Sequence, residues 1–195
     1  MLQPSETLQT PRLSLRRFTP DDYELFYRIH SDEQVMRNAG GARSREEVQT
    51  IWNERVVRYY DQHPGLGIWL TSERATSEPV GVHLLNHLRG EPQVQVGYLL
   101  LPAFWGRGYA TEMARCVLHY GFTVCALPEI VAITDLDNFN SQHVLRKVGL
   151  ERHGERTFAH PMYRARSYTW FIRERAAWLA WHDAEQAARP VTGNG

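Results

Sequence analysis

The sequence predicts a single domain of the mixed α/β (α+β) class, with a mostly antiparallel central sheet, flanking helices and a C-terminal helical extension. Three observations predict this class. The chain has 195 residues, the usual length of one domain. Its 43% hydrophobic and 23% charged residues are ordinary globular values, so a disordered, collagen-like or coiled-coil chain is excluded. Its segments follow the order strand, two helices, three strands, helix, strand, helix, strands.

The amino-terminal third contains the first strand and two helices. Residues 1–10 show no periodicity and are expected to be a loose lead-in, whereas residues 12–18 alternate apolar and polar side chains as a half-buried strand does. Thr19 and Pro20 are typical of a helix start. Ser44 and Glu47 have the spacing of a capping box, which begins the second helix. That helix is expected to carry on one face Val48, Ile51, Trp52 and Val56.

The rest of the chain is predicted to form three strands, followed by helices and strands in turn. Strands are predicted over residues 66–72, 80–86 and 94–101, over residues 130–134, and over residues 163–171. Helices are predicted from Gly108, from an Asn138 N-cap to a stop at Gly149, and over residues 174–188. We expect residues 1–172 to form the domain, and residues 173–195 to add a C-terminal helix and a frayed tail.

Charge and hydropathy exclude several classes of protein. The chain has 22 Lys plus Arg and 22 Asp plus Glu, whereas a general nucleic-acid binder needs surplus cations. The basic stretch of residues 146–175 is read either as a solvated surface or as a wall that meets a phosphorylated ligand or acidic partner. The longest near-apolar run, residues 96–106, is shorter than the ~20 residues that cross a membrane.

Cysteine usage and the N-terminus bear on compartment. Cys116 and Cys125 lack CxxC spacing, so the sequence predicts neither a metal site nor a disulfide framework. The first residues lack the apolar segment of a secretory signal. We therefore expect a cytoplasmic protein with no membrane or nucleic-acid partner, either a monomer or a homodimer.

Two segments carry chemistry. In the first, a strand ends in a turn in which Gly106, Arg107 and Gly108 lead into a helix. Glycines allow close approach to the backbone, and a helix start offers unpaired N–H groups, which suits a pyrophosphate. The spacing is neither G-x-G-x-x-G nor a P-loop, so a plain strand-to-helix turn is the alternative. In the second, Ser141 lies on the inward face of its helix, where its hydroxyl meets either the backbone four residues back or a ligand.

Together these segments resemble the GNAT superfamily of acetyl-CoA-dependent N-acetyltransferases, within it the branch that acetylates ribosomal-protein N-termini. The pattern (Q/R)-x-x-G-x-(G/A) corresponds to residues 105–110, and the helix pattern N-x-x-S-x-x-V-L-x-K-x-G-(F/L) to residues 138–150. The opening T-P-R-L-x-L-R, residues 10–16, is similar to the first strand of that branch. The resemblance covers residues 10–172.

The sequence departs from the family at two positions. Trp105 stands where the pattern has Gln or Arg. Gln95 stands in V-Q-V-G-Y where the branch commonly has A-E-I-G-Y, and so it replaces a Glu that helps to deprotonate the amine. An amide cannot act as a general base, although it can hydrogen-bond the amine or hold a water.

The resemblance implies a role for each matched position. Gln95 and Ser141 are the implied catalytic residues, with Ser141 as donor to the departing thiolate. The implied acetyl-CoA contacts are Leu99 and Leu100 for the acetyl and pantetheine groups, Trp105, Gly106, Arg107, Gly108, Tyr109, Ala110 and Thr111 for the pyrophosphate, and Asn138 beside the thioester. The implied reaction is direct attack by a neutral amine, without a covalent intermediate.

The proton acceptor and the acceptor substrate stay open at this point. His83, His87, Glu91 and Glu112 are weighed as bases. For the two histidines the alternative is a structural or surface position, and for Glu112 it is a structural role at its helix start. The resemblance favours a protein or peptide N-terminal α-amine as acceptor. A small-molecule amine, such as a polyamine, amino acid or antibiotic, is the alternative, and a non-catalytic acyl-CoA-binding sensor is the hypothesis from another class.

Overall fold

A computed structural model describes residues 7–163 and 166–188, and these residues form one eight-stranded sheet with helices on both faces. The strands are β1 (Thr7–Gln9), β2 (Leu13–Arg17), β3 (Gly67–Glu73), β4 (Pro79–His87), β5 (Val94–Leu100), β6 (Glu129–Asp135), β7 (Glu151–Thr157) and β8 (Ser167–Glu174). They lie in the order β1-β2-β3-β4-β5-β6-β8-β7. Every neighbouring pair is antiparallel except β5 and β6, which are parallel. The predicted mixed, mostly antiparallel architecture is confirmed.

The helices follow the predicted order, with two additional short ones between β2 and β3, and the last helix comes after β8. They are α1 (Tyr23–Ser31), α2 (Glu33–Met36), α3 (Arg45–Trp52), α4 (Tyr59–Gln62), α5 (Tyr109–Thr123), α6 (Phe139–Lys147) and α7 (Arg175–Ala187). The long helix α5 is the crossover that joins the two parallel strands, because parallel neighbours cannot be joined by a tight turn.

Side-chain caps account for the helix starts that the sequence predicts. The Ser44 hydroxyl accepts the Glu47 N–H at 3.2 Å, and the Glu47 carboxylate accepts the Ser44 N–H at 2.8 Å. The Asn138 side chain accepts the Ser141 N–H at 3.1 Å and so caps α6. Before α1, the Asp22 carboxylate accepts from the backbone N–H and the hydroxyl of Thr19, and a short 3-10 turn over Pro20–Asp22 leads into the helix.

Different helices cover the two faces of the sheet. One face carries Val96 and packs against Met113 of α5; we call it the α5 face. The other face carries Val82 and packs against Phe26 of α1; we call it the α1 face. Trp178 of α7 is fully buried in the same core as α5 and donates its indole N–H to the Val148 carbonyl at 2.9 Å.

The structure corrects the sequence expectations at four places. Residues 7–9, expected to be part of a loose lead-in, form the short strand β1. The edge strand β7 (ERHGERT) was missed because its mostly exposed, polar residues give no apolar alternation. The predicted second helix is interrupted by a π turn over Asn53–Val57, with Val56 still buried. The predicted strand 163–171 begins instead at Ser167, and its residues 164 and 165 lie outside the described residues.

Candidate active site

The parallel strands β5 and β6 form a fork. Gln95 pairs with Val131 near the start of both strands, and no further registered pair joins β5 to β6 along the described residues. β5 leads into the turn that begins α5, and β6 leads into the turn that begins α6. Two helix starts therefore lie at the open end of the fork.

The first helix start is the predicted pyrophosphate turn. Gly106 and Gly108 have φ of +74° and +79°, a region that favours glycine. A Cβ atom on Gly106 would meet nothing within 4 Å, so its backbone is open to approach. The first helical bond of α5 runs from the Glu112 N–H to the Gly108 carbonyl at 3.0 Å. The N–H groups of residues 109–111 consequently lack a partner inside the helix.

Two arginines lie beside this turn. The predicted Arg107 is exposed and forms a 3.3 Å ion pair with Glu73, which also accepts the Tyr109 hydroxyl. These contacts lower the pKa of Glu73, chiefly through the Tyr109 hydrogen bond. Arg12, from just before β2, donates to the Arg107 carbonyl at 3.1 Å. Arg12 was missed as a site residue because it is remote in sequence.

The remaining residues predicted to contact the coenzyme lie between the end of β5 and the first turn of α5. Trp105 is half exposed, and its indole N–H donates to the Leu100 carbonyl at 2.7 Å, which ties the turn to the end of β5. The side chain of Leu99 packs on the α1 face, and that of Leu100 on the α5 face. Ala110 and Thr111 are half-buried in the first turn of α5.

A tyrosine that the sequence analysis did not single out bridges the fork. The Tyr98 hydroxyl lies 3.1 Å from the Ser141 Oγ and 3.2 Å from the Ser141 carbonyl oxygen. Burial raises the pKa of the Tyr98 phenol, so it stays protonated. Because Tyr98 and Ser141 are 43 residues apart, no local spacing predicts their contact. The expected alternative, a Ser141 hydroxyl bonded to the backbone four residues back, is not the bond observed.

Gln95 lies deeper in the fork. Its Nε2 donates to the Asn86 Oδ1 at 3.3 Å across β4 and β5. Tyr98 is three residues further along β5, a rise of ~10 Å. The site as a whole therefore runs along β5 from Gln95 to the turn.

The side chains weighed as bases are engaged elsewhere. His83 pairs in register with Tyr98, on the face opposite Gln95, and complete burial lowers its pKa to about 3. His87 is opposite Val94 and also points away from Gln95. Glu91 forms an ion pair with Arg156, and Glu112 binds Arg12 and the Thr10 hydroxyl. The structural alternative holds for Glu112.

A cavity of about 820 Å³ opens at the end of β6. Its lining includes Asn138 and two arginines, Arg37 and Arg166. It also includes Asp135, a buried carboxylate whose pKa is raised by desolvation even though Arg166 lies 3.4 Å away. Asp135 is on the same face of β6 as Val131 and, along the strand, about level with Leu99. The sequence analysis did not single out Asp135, because one Asp at a strand end is not a motif.

Four of the eight basic residues between positions 146 and 175 are neutralised locally. Arg152, Arg156, Arg166 and Arg173 each pair with a carboxylate. Arg164 lies outside the described residues. The solvated-surface interpretation therefore accounts for Arg152 and Arg156, whereas Arg166 lines the cavity at the end of β6. Within residues 7–163 and 166–188, no helix is long and apolar enough to cross a membrane.

Comparison with known proteins identifies the family. Residues 12–151 match the family model for the acetyltransferase (GNAT) domain. The chain is 31% identical over 153 residues to an uncharacterized N-acetyltransferase of Bacillus subtilis, YoaA, and the match covers 75% of this chain and 84% of that protein.

Solved structures share the fold. Ribosomal-protein-S5-alanine acetyltransferase from Vibrio fischeri superposes with a TM-score of 0.69 at 16% identity, covering 88% of this chain and 98% of that one. Spermidine N-acetyltransferase from Vibrio cholerae, in complex with CoA and spermine, gives 0.69 at 15% identity, covering 87% and 99%. At these identities the likeness concerns the fold alone. The family model matches most of the chain, and the fork with its two helix starts agrees with that match. The chain therefore belongs to the GNAT acetyltransferases and is an acetyl-CoA-dependent N-acetyltransferase.

Proposed function

We propose that the preferred acceptor is the α-amine of a protein or peptide N-terminus, attacked directly by way of its neutral form. The observation that carries the proposal is the fork. The start of α5, with unpaired N–H groups, follows β5, the Tyr98–Ser141 pair lies between the two strands, and Asp135 is at the end of β6. We also infer a cytoplasmic location, where free thiols such as Cys116 and Cys125 stay reduced.

Acetyl-CoA is proposed to lie along β5. The unpaired N–H groups of residues 109–111 and the open backbone at Gly106 would hold the pyrophosphate, with the Arg107 and Arg12 guanidiniums beside it. The thioester would then lie between the arms of the fork, with its acetyl and pantetheine groups beside Leu99 and Leu100. Asn138 would flank the sulfur from the start of α6.

The chemical step needs a donor for the leaving sulfur. The amine nitrogen bonds to the thioester carbonyl carbon, the carbon–sulfur bond breaks, and a thiolate departs with the electron pair. The Ser141 hydroxyl is proposed to donate to that thiolate, where negative charge develops. Tyr98 is a positioning residue, because its hydroxyl holds the Ser141 Oγ at 3.1 Å.

The proton that the amine loses needs an acceptor, and we assign it to Asp135. Gln95 has no basic atom and is ~10 Å along the strand from Tyr98. Asp135 is the buried carboxylate of the cavity that includes Asn138. Desolvation raises the pKa of Asp135, which makes its carboxylate a stronger base than an exposed one.

The charges of the cavity favour a single amine over a polycation. Its described lining pairs two carboxylates, Asp135 and Asp137, with two guanidiniums, Arg37 and Arg166. A polyamine needs an acidic cluster to replace its hydration, and this balanced lining is not one. The fold shared with the spermidine enzyme keeps a small polyamine as the second candidate.

The fraction of each amine that is neutral at pH 7 also favours an α-amine acceptor. An α-amine with a pKa near 8 is roughly a tenth neutral at pH 7, whereas a lysine amine near 10.4 is neutral in about 0.04% of molecules. The difference of a few hundred-fold corresponds to roughly 3 kcal/mol. An α-amine therefore needs less help from a carboxylate base than a lysine amine does.

The pyrophosphate turn is tested at Gly108. Gly108→Asp is expected to abolish detectable acetyl-CoA binding in calorimetry, because it adds a carboxylate beside the phosphates. Two unit charges 4 Å apart repel by between about 1 and 4 kcal/mol at such a surface. Gly108→Asn has nearly the same shape without the charge and should bind at least ~10-fold more tightly than the Asp variant.

Gly154→Asp is the matched control for backbone strain. Gly154 has φ of +101° and open space around it, but it lies in β7, far from the turn in sequence and in the sheet. This variant should bind acetyl-CoA like the parent. Parental affinity in Gly108→Asp would show that the pyrophosphate lies elsewhere.

Ser141 and Tyr98 are tested as a pair. Ser141→Ala is expected to lower kcat ~10-fold or more with acetyl-CoA affinity nearly unchanged, because the donor acts on charge that develops in the transition state. Tyr98→Phe should cause a smaller loss. If Tyr98 acts through Ser141, the double variant should be no slower than Ser141→Ala. An unchanged kcat with chemistry rate-limiting, or fully additive losses, would contradict the assignment.

Asp135 is tested by its pH profile. Asp135→Asn should lower kcat/KM ~100-fold. A base works ionised, so the parent loses activity as pH falls through the raised pKa of Asp135. The acid limb of the parent, measured from pH 4 to 7, should be one proton steeper than that of the variant. Asp137→Asn, in the same cavity but exposed, should keep the parental profile. An unchanged slope in Asp135→Asn would remove Asp135 from the step.

The acceptor is tested by direct competition. We expect kcat/KM at pH 7 to be highest for peptides with a free N-terminus, compared with N-terminally blocked lysine peptides and with polyamines. The gap to lysine peptides should narrow toward pH 9 as their amines lose protons. Gln95→Glu should leave the lysine-peptide rate unchanged, because position 95 is ~10 Å along the strand from Tyr98. Faster turnover of lysine peptides or polyamines at pH 7 would exclude the α-amine preference.

A further inference from the structure

A second cavity, of about 440 Å³, lies at the opposite end of β5 from the pyrophosphate turn. It is lined by the π turn and α4 on one side and by the β4–β5 connection on the other. None of its lining residues is among those proposed to bind acetyl-CoA, and neither Ser141 nor Asp135 lines it. β5 has seven residues, so roughly 20 Å separates the two ends.

The π turn presents an arginine to this cavity. The Arg58 N–H bonds the Asn53 carbonyl five residues back at 3.2 Å, and the widened turn contains Arg55. The Arg55 guanidinium donates to the His87 carbonyl at 3.0 Å and lies 5.5 Å from the centre of the Tyr59 ring. Across residues 7–163 and 166–188, no carboxylate forms an ion pair with it.

The carboxylates that line the cavity are already neutralised. Glu54 pairs with Arg89 at 2.5 Å, and Glu91 pairs with Arg156 at 3.0 Å. The half-buried Arg55 therefore leaves an uncompensated positive charge at the wall. A charge that is partly removed from water is stabilised when an opposite charge binds beside it.

Neutral donors complete the wall. The Tyr59 hydroxyl accepts the His87 backbone N–H at 2.8 Å and lies 2.6 Å from the His87 Nδ1. In the tautomer whose Nδ1 accepts the Tyr59 hydroxyl, the ring proton is on Nε2, which is then a donor. The His63 ring lies beside it, with ring centres 4.7 Å apart.

We propose that this cavity binds an oxyanion, the carboxylate or phosphate group of a small molecule, between the Arg55 guanidinium and the His63 and His87 imidazoles. The bound anion compensates the Arg55 charge and accepts hydrogen bonds from the ring donors. The site is distinct from the pyrophosphate turn and does not depend on the acceptor proposed above.

Binding is expected to be linked to protonation of His87. Burial, and then His63 and Arg55, lower the pKa of His87. An anion beside the ring reverses the repulsion from Arg55, so the His87 pKa should rise by about one unit, and binding should tighten as pH falls. The charged and titratable groups around His87 are Glu54, Arg55, Tyr59, His63, Arg89 and Glu91.

The experiment is an NMR pH titration of the His87 imidazole, assigned by its loss in His87→Gln. The titration is run in chloride, in inorganic phosphate and in acetate at matched ionic strength, so that the two oxyanion shapes are distinguished. An upward shift of the His87 pKa in phosphate or acetate supports the site. The same pKa in all three salts overturns it, without any variant being needed.

Matched variants locate the effect. Arg55→Gln removes the charge but keeps a donor for the His87 carbonyl, and it should abolish the anion-dependent shift. Arg58→Gln removes an exposed charge from the residue next to the same π turn and should leave the shift intact. Gly108→Asp should leave it intact as well, because the pyrophosphate turn is at the other end of β5. A shift that survives in Arg55→Gln would overturn the site.

Discussion

One parallel pair in an otherwise antiparallel sheet governs the structure of the site. Parallel neighbours need a crossover, and α5 supplies it between β5 and β6. Because both strands run in the same direction, the turns that follow them emerge at the same edge. The pairing stops after Gln95 and Val131, so the two arms leave room between them. The cleft, the two helix starts beside it and the contact between Tyr98 and Ser141 all follow from that arrangement.

The turn at the open end is stabilised from outside the fork. Arg12 contacts both the Glu112 carboxylate at 2.6 Å and the Arg107 carbonyl, so the start of β2 is bound to the start of α5. Glu73, at the end of β3, accepts from Tyr109. Exposed ion pairs add little stability one by one. Here they converge on a glycine-containing turn with little packing of its own, and they fix the direction of its N–H groups.

Local features of this fold could be predicted from the sequence, whereas contacts between residues far apart in the sequence could not. Ser44, Gly108 and Asn138 were predictable because a cap acts within three residues of itself. β7 was not, because an exposed charged edge strand is defined by its partner β8 and not by its own pattern. The contact between Tyr98 and Ser141 depends on the strand order, which no spacing encodes. The turn before α5 was therefore predicted in more detail than the end of β6.

The Gln95 amide has a structural contact at the closed end of the fork. Gln95 donates across the strands to the Asn86 side chain, and a carboxylate there would face the Asn86 Oδ1 and repel it unless that amide turned over. The amide pair thus stabilises the closed end of the fork, where β5 and β6 still share a registered pair. A base is useful only where a neutral amine can reach the thioester, which is near Ser141 at the open end. Asp135, the buried carboxylate at the end of β6, is the residue proposed for that role. With Asp135 as the proposed proton acceptor, Gln95 is left to join β4 and β5 through Asn86.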